Sequence, residues 1–253
     1  MSSYLQPITK PEATYTIHVK RFNPETNAQA HWETYRIPFV RTMTVIQALE
    51  YLWDQNNYLA FRANCREMTC GSCAMLINGA PGLACMTLLQ DGSRIEPLAN
   101  YSVLKDLIVD TSGIERKYKE LEFWPKLEGA TKISGVPRSV LHDYSHIYSR
   151  CIECYVCLEA CPQSDAETTQ FDGPMFMLQI ARLSKHPLDA KNRPRQAIER
   201  GALSCVNCYE CASVCPVGLS PAAEIGKLRR RAFTQDFRNF WRKLVGKEPA
   251  QTP

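Results

Sequence analysis

Twelve cysteines stand in a chain of 253 residues, and they fall in three groups of four: 65, 70, 73 and 85; 151, 154, 157 and 161; 205, 208, 211 and 215. None occurs before Cys65 or between Cys85 and Cys151. Thiols two to four residues apart converge on a metal centre more readily than they pair with one another. A disulfide scaffold is a short secreted chain with more than about 8–10% cysteine, and this chain is longer and poorer in cysteine than that. No charged and then apolar leader opens the sequence, and no run nears the roughly 18 apolar residues of a membrane span. The expectation is a reducing compartment in which the twelve thiols serve as metal ligands.

The second and third groups are one pattern used twice, Cys-x2-Cys-x2-Cys-x3-Cys-Pro, at 151–162 and 205–216, with 43 residues between Cys161 and Cys205. This is the bacterial ferredoxin spacing, in which three cysteines hold one cluster and the fourth ligates the other. Applied here, Cys151, Cys154 and Cys157 share a cluster with Cys215, while Cys205, Cys208 and Cys211 share one with Cys161. Pro162 and Pro216 discourage a helix from running on through the ligand. The first group, Cys65-x4-Cys70-x2-Cys73-x11-Cys85, has the order of plant-type 2Fe–2S ligands, although its last cysteine follows closely. Gly71 and Ser72 suit a tight loop whose amides bond cluster sulfur and tune its potential. Structural zinc is the plainer alternative, but zinc ribbons use two Cys-x2-Cys pairs parted by a longer spacer, a form neither compact run has. Ala74 and Leu158 stand where a c-type haem site needs histidine. His18, His31, His142, His146 and His186 all lie outside the groups, which argues against a Rieske centre. His142 and His146, four apart, would share a helix face, and they read as polar helix residues packed near a cluster ahead of metal ligands.

The elements that must position these thiols come from periodicity. Tyr15, Ile17 and Val19 alternate with polar residues, as does Tyr35–Phe39 after a polar loop, so a hairpin is expected with Pro38 at an edge. Thr44-Val-Ile-Gln47 is a capping-box pattern opening a helix with the stripe Val45, Ala48, Leu49, Leu52 and Trp53. Met75 and Ile77 predict a short strand, Asn78-Gly79 and Gly82 a turn, and Ile95 with Leu98 a further strand. This is a β-β-α-β-β unit with a small mixed sheet. Residues 111 to 140 lose clear periodicity and carry several Gly and Pro, so the junction is placed there. Helices are expected from Leu141 onward, one opening at Gly173-Pro174 with the stripe Phe176, Met177, Ile180 and Leu183. The expected division is a domain at 1–112, a linker at 113–140 and a second domain at 141–253.

The formal charge is +4, yet Lys227 to Lys247 alone holds eight basic residues and one acidic. The remainder is slightly acidic, which argues against a nucleic-acid binder with a spread phosphate footprint. Phe233, Phe237, Phe240, Trp241 and Leu244 recur at helical spacing with Arg231, Arg238 and Arg242 opposite. That predicts an amphipathic basic helix suited to a membrane surface or an anchor subunit, or an ordinary surface helix packed on its own domain. No Gly-rich phosphate cradle, Ser/His/Asp set or carboxylate pair is evident, so no catalytic residue is expected on this chain.

These residues closely resemble the iron–sulfur subunits of succinate dehydrogenases and quinol:fumarate reductases. The likeness lies in Cys65-Arg-Glu-Met-Thr-Cys-Gly-Ser-Cys-Ala, Ile77-Asn-Gly through Leu83-Ala-Cys85, Ile95-Glu-Pro-Leu and Leu104–Asp110. It continues through Cys151-Ile-Glu-Cys to Cys161-Pro, Phe171-Asp-Gly-Pro174 and Val214-Cys-Pro-Val-Gly-Leu, spanning roughly 14–230. It implies an α+β chain: an N-terminal plant-ferredoxin-like β-grasp domain and a C-terminal all-α helical ferredoxin domain. It further implies a 2Fe–2S cluster on the first group, a 4Fe–4S cluster on Cys151, Cys154, Cys157 and Cys215, and a third cluster on Cys161, Cys205 and Cys211. The third is 3Fe–4S in most relatives, where the position of Cys208 is apolar. Here Cys208 either supplies a fourth thiolate to a 4Fe–4S cluster or points away as a small buried residue. The resemblance implies a flavoprotein partner holding FAD and the succinate/fumarate site, a membrane anchor of cytochrome b type, and quinone near the third cluster. Electrons would pass from flavin through the three clusters to quinone, or back. Pro162 and Lys227 are carried over to the quinone vicinity. Gln163-Ser164-Asp165-Ala166 lies in the stretch where many succinate-oxidising relatives carry a Trp pair near the quinone, and where some fumarate-reducing relatives have Pro-Gln. The implied location is peripheral, on the cytoplasmic side of the inner membrane or the matrix side in a mitochondrion. The alternatives are the same electron-transfer role in another flavoprotein complex, of disulfide or hydroxy-acid type, and a zinc-stapled structural protein.

Overall fold

The structure, a computed structural model, describes residues 12–26, 29–55, 57–127, 149–164 and 170–245. Two compact units divide the chain. The first holds Met1–Lys117, Cys151–Ala160 and Ser213–Gly218, and the second Tyr118–Arg150, Cys161–Ala212 and Leu219–Pro253. His142 and His146 lie outside the described residues. The N-terminal part is a sheet domain and the C-terminal part is helical, a mixed α and β chain.

The first unit is built on strands β1 (Ala13–Arg21) and β2 (His31–Phe39), which pair antiparallel along their whole length. Ile17, Val19 and Ile37 point to one face and are fully buried, so the alternation anticipated for both strands sets the core side. Pro38 lies on β2, which is an edge strand. Strands β3 (Ala74–Ile77), β4 (Ala80–Leu83) and β5 (Ser93–Glu96) complete a sheet of order β2-β1-β5-β3-β4, in which β1 and β5 run parallel. Asn78 and Gly79 both have positive φ, the conformation a two-residue turn between β3 and β4 demands. A separate ribbon, β6 (Val103–Lys105) with β7 (Ile108–Val109), was not legible from the pattern; its strands are too short to show a period.

Helix α1 (Val45–Asp54) opens as the capping box predicts, the Gln47 side chain accepting from the Thr44 amide at 2.8 Å. Its orphan amides are aimed usefully. Val45 donates to the Thr87 carbonyl and Ile46 to that of Ala84, while the Ala84 amide donates to the Cys73 carbonyl. The helix start thereby holds Cys85 beside Cys73. The buried side is Val45, Ile46, Ala48, Leu49 and Leu52. Trp53 is exposed rather than in the stripe, because Ile46 completes the inward face.

Asp106 ties three segments together from a buried position. It accepts from Arg21 Nε at 2.9 Å, from the Phe22 amide at 3.1 Å and from the Ala60 amide at 2.8 Å. A buried carboxylate persists only when its lone pairs are met in this way, and the arrangement pins the chain that leads from Leu59 into the first cysteine loop.

Helix α2 (Ser112–Leu121) occupies ground where no periodicity was expected. Ile114, Tyr118 and Leu121 do carry a helical spacing, hidden by the polar residues between them and by Gly113. The described helices that follow are α3 (Val156–Glu159), α4 (Pro174–Leu183), α5 (Arg193–Glu199), α6 (Glu210–Ser213) and α7 (Pro221–Leu244). In the second unit α4 is buried on nearly every side, not along one stripe: Met175, Leu178, Gln179 and Ala181 are as buried as Phe176 and Ile180. A helix enclosed by α5 and α7 has no solvent face to keep polar. Arg193 is wholly buried there, its guanidinium bonded to Asp189, Gln196 and the carbonyls of Leu121, Glu122 and Trp124.

Removing a buried charge's partner leaves the other charge uncompensated. Asp106→Ala is therefore expected to lose about 3–5 kcal/mol, read from urea unfolding followed by far-UV circular dichroism. A loss below about 1 kcal/mol, the worth of a surface pair, would remove Asp106 from this role.

Candidate metal centres

The first group lies in a loop folded against its own sulfur. The amides of Glu67, Thr69 and Cys70 point at Cys65 Sγ at 3.5, 3.2 and 3.3 Å, and Ser72 Oγ stands 3.1 Å from Cys70 Sγ. Arg66, Met68 and Gly71 take positive φ to make that wrap. Burial works against ionisation of Cys70, but hydrogen bonds from Ser72 and the backbone at Cys65 and Ser72 bring its thiol down to about 6. Cys73 is the reverse case: burial pushes it up to about 12, and the sulfurs of Cys85 and Cys70 add to the rise. All four cysteines are thus gathered, one end of the set wet and hydrogen-bonded, the other dry.

The second group does not stay with its sequence neighbours. Burial pushes the Cys151 thiol up to about 11, with Cys154 and Cys215 adding to it, and Cys154 is raised by burial and then by Cys215. Half-buried Tyr101 has its hydroxyl raised by burial, then by Glu159 and by neighbouring Cys157. Cys154 and Val156 belong to the hydrophobic core of the sheet unit, with Ile152 and Val214 packed against it. Glu159, two residues after Cys157, accepts from the amides of Ala99 at 2.9 Å and Asn100 at 3.1 Å.

The third set lies in the second unit. Cys161 is raised by burial, with Cys208 and Cys205 as neighbours; Cys211 is pushed to about 11 by burial, with Cys161, Cys205 and Cys208 adding. A small cavity among these four is lined also by Pro162, Gln163, Phe171 and Ile225. Cys208 is the exposed member, yet it faces the same set. Arg229 donates to the Cys205 carbonyl and to Asn207 Oδ1. Lys227 is not part of that lining; its ammonium bonds Glu224 at 2.5 Å on the same helix. Sequence reasoning missed Glu159 and Arg229, since neither belongs to a spacing and each acts through a fold contact.

The two runs share their backbone as well as their spacing. Glu153 and Tyr155 have φ of 53° and 66°, and the equivalent Asn207 and Tyr209 have 58° and 65°. Such residues cost of order 1–3 kcal/mol each and persist where the surroundings require them. Alternating left-handed residues turn successive amides inward, a concavity suited to anionic sulfur.

All twelve cysteines are free. Among the described residues no three Cys, His, Asp or Glu side chains close to the spacing of a single bound ion; the thiols are neighbours without being drawn onto one point. An all-thiol donor set, amides aimed at sulfur and glycine where backbone must pass closely together fit iron–sulfur clusters.

Gly71 is the closest of these approaches. A Cβ there would stand 2.5 Å from the Ile152 carbonyl oxygen and 3.0 Å from Cys154 Cα and Cβ. The first cysteine loop therefore rests directly on the second within one unit.

A model described as a 2Fe-2S iron-sulfur cluster binding domain matches residues 16–116, and one described as a 4Fe-4S dicluster domain matches residues 147–219. A fumarate reductase (CoM/CoB) subunit of Methanothermobacter marburgensis is 37% identical over 220 residues, covering 85% of this chain and 44% of that protein. The fumarate reductase iron-sulfur subunit of Haemophilus influenzae is 32% identical over 232 residues, covering 83% of this chain and 90% of its own length. The succinate dehydrogenase iron-sulfur subunit of Bacillus subtilis is 31% identical over 226 residues, covering 83% and 89%. A chain of the Mycobacterium smegmatis Sdh1 complex in the apo form superposes with a TM-score of 0.78 at 26% identity, covering 89% of this chain and 98% of that one. This chain thus spans less than half of the Methanothermobacter protein and nearly all of the two bacterial subunits.

Gly71→Ala and Gly79→Ala separate close approach from backbone strain. Both glycines have positive φ, but nothing lies within 4 Å of a Cβ at Gly79. Gly79→Ala is expected to cost about 1–2 kcal/mol for the left-handed backbone alone. Gly71→Ala should cost about 1–3 kcal/mol more, from overpacking. Equal losses in chemical unfolding would mean that the loop contact is unimportant.

Proposed function

Because the chain belongs to the iron–sulfur subunits of succinate dehydrogenases and fumarate reductases, we propose that it is the electron-transfer subunit linking a flavoprotein dicarboxylate site with membrane quinone. Its two parts are read as a plant-ferredoxin-like domain and a helical ferredoxin domain. Three clusters are assigned: 2Fe–2S on Cys65, Cys70, Cys73 and Cys85; 4Fe–4S on Cys151, Cys154, Cys157 and Cys215; and a third on Cys161, Cys205, Cys208 and Cys211. When bound, such clusters accept and release single electrons, at potentials tuned by hydrogen bonds, charge and exposure. The chain's own part is to hold thiolates, exclude water and aim amides at sulfur. No residue is assigned to bond-making chemistry, which falls to FAD on the flavoprotein partner. The remaining partner is a membrane anchor of cytochrome b type, with quinone near Pro162. Lys227, bonded to Glu224, has weaker support as a quinone contact. The position is peripheral, on the cytoplasmic or matrix face.

One observation carries this reading. Cys215 neighbours Cys151 and Cys154, while Cys161 neighbours Cys205, Cys208 and Cys211. The exchange of last members is the hallmark of a two-cluster ferredoxin, and a zinc-stapled protein has no use for it. Cys208 among that set supports 4Fe–4S over 3Fe–4S at the third site. A second reading keeps the same electron path and ends it on a thiol–disulfide partner. The 37% identity to a protein named for CoM/CoB favours it, and oxidation of quinol against oxidation of dithiols by the purified complex separates the two.

Anaerobically purified full-length chain is expected to carry about ten iron and ten acid-labile sulfide. A strong 3Fe signal in the electron paramagnetic resonance (EPR) spectrum of the air-oxidised protein would sink the four-thiolate third site, and Cys208→Ser should create that signal. The exchange has its own test. Cys215→Ser should abolish the same EPR signal as Cys151→Ser and spare the one lost in Cys205→Ser; the opposite grouping would overturn the assignment.

A further inference from the structure

Helix α7 changes character at residue 233. Up to that point it packs in its own unit, with Ala222, Ile225, Leu228 and Ala232 buried. Beyond it the amphipathic pattern continues and buries nothing: Phe233, Phe237, Phe240, Trp241 and Leu244 are 56–77% exposed. Their spacing puts them on one stripe about 18 Å long at 1.5 Å per residue. Arg238 and Arg242 fall on the opposite side, with Lys243 on the flank, all exposed and in none of the ion pairs of the described residues. Arg231, assigned from sequence to that outer face, is instead half-buried and bonded to Ser184 Oγ at 3.4 Å, and Arg229 is engaged at Cys205 and Asn207. Besides exposed Arg230, the exposed cations outside these contacts therefore sit at the far end of the helix, beside the apolar stripe.

We propose that Phe233–Leu244 lies flat on an anionic lipid surface, the aromatic stripe at the acyl boundary and the basic side chains among the headgroup phosphates. Charge complementarity selects this occupant. Outside Lys227–Lys247 the chain is slightly acidic, and within the stripe segment the cations Arg238, Arg242 and Lys243 outnumber its one acid, Asp236. A second copy of the helix would bring like charges together. Long arginine and lysine stems reach phosphates from beside a buried stripe, and an indole near the end of the stripe suits the headgroup level. No described helix is long and apolar enough to cross a membrane, so this one lies on the surface rather than spanning it. The inference deepens the peripheral position proposed above by naming the surface that makes the contact, and its readout does not depend on electron transfer.

The test is flotation of the full-length, cluster-loaded chain with vesicles of phosphatidylglycerol and phosphatidylcholine, and with phosphatidylcholine alone. Binding is expected to the anionic vesicles only, and to weaken as salt is raised. Replacing Arg238, Arg242 and Lys243 together by Gln should weaken it on the order of 100-fold, at about fivefold per surface cation. Phe237→Ser with Trp241→Ser should abolish it at every salt concentration, while the visible cluster absorption stays unchanged. Equal flotation with both vesicle types, or flotation indifferent to the triple variant, would overturn the proposal. So would failure to float while the same stripe drives dimerisation or capture of an anchor protein. A chain that floats but carries no iron would defeat the electron-transfer reading and leave this one standing.

Discussion

Everything in this chain depends on gathering thiols that resist being gathered. Burial raises Cys73, Cys151, Cys154, Cys161 and Cys211, and in most cases a neighbouring sulfur raises them further. Without iron the stable form of each is the neutral thiol, and the sets are held by packing and by hydrogen bonds around them. A bound metal removes the protons outright. The fold therefore has to bring the cysteines close with no help from their charge. It does so with Val156 and Cys154 inside the sheet core, and with the start of α1 holding Cys85 next to Cys73.

The proposed exchange of Cys161 and Cys215 follows from the same constraint. Two successive four-cysteine runs of 11 residues cannot each close on themselves if their fourth cysteine points away behind a proline. Each run then needs the other. The consequence appears in the division of the chain, where Cys151–Ala160 and Ser213–Gly218 group with the sheet unit while Cys161–Ala212 does not. In the proposed reading, a repeat that looks like two beads on a string is two half-sites, each completed from a distance.

Ligand positions, strands and α1 were legible because each leaves a local signature: a spacing, a period of two, a cap. What was not legible had its cause elsewhere in the chain. Helix α4 reads as one-sided in sequence, because Gln179 and Ala181 are not strongly apolar, yet neighbouring helices enclose it. Helix α2 carries Ile114, Tyr118 and Leu121 at helical spacing among charged residues, too sparse a stripe to outweigh Gly113. Trp53 yields its place in the core to Ile46. Arg229 and Arg231 look like members of a solvated basic tail until the fold supplies Asn207 and Ser184. Net charge counts such residues without saying which way they face.

Those inward charges also distinguish two sites that share one spacing. Near the Cys151 set stand carboxylates: Glu153 acts on Cys151, and Glu159 is locked by two backbone amides two residues beyond Cys157. At the Cys161 set a guanidinium, Arg229, bonds the carbonyl of Cys205. An added electron is repelled by nearby negative charge and attracted by positive charge, and cluster potential follows that balance. The two sites thus differ in the charged groups beside them, although Arg62 also stands near Cys154 and Tyr155. Identical ligand runs acquire different surroundings from residues that no cysteine spacing contains.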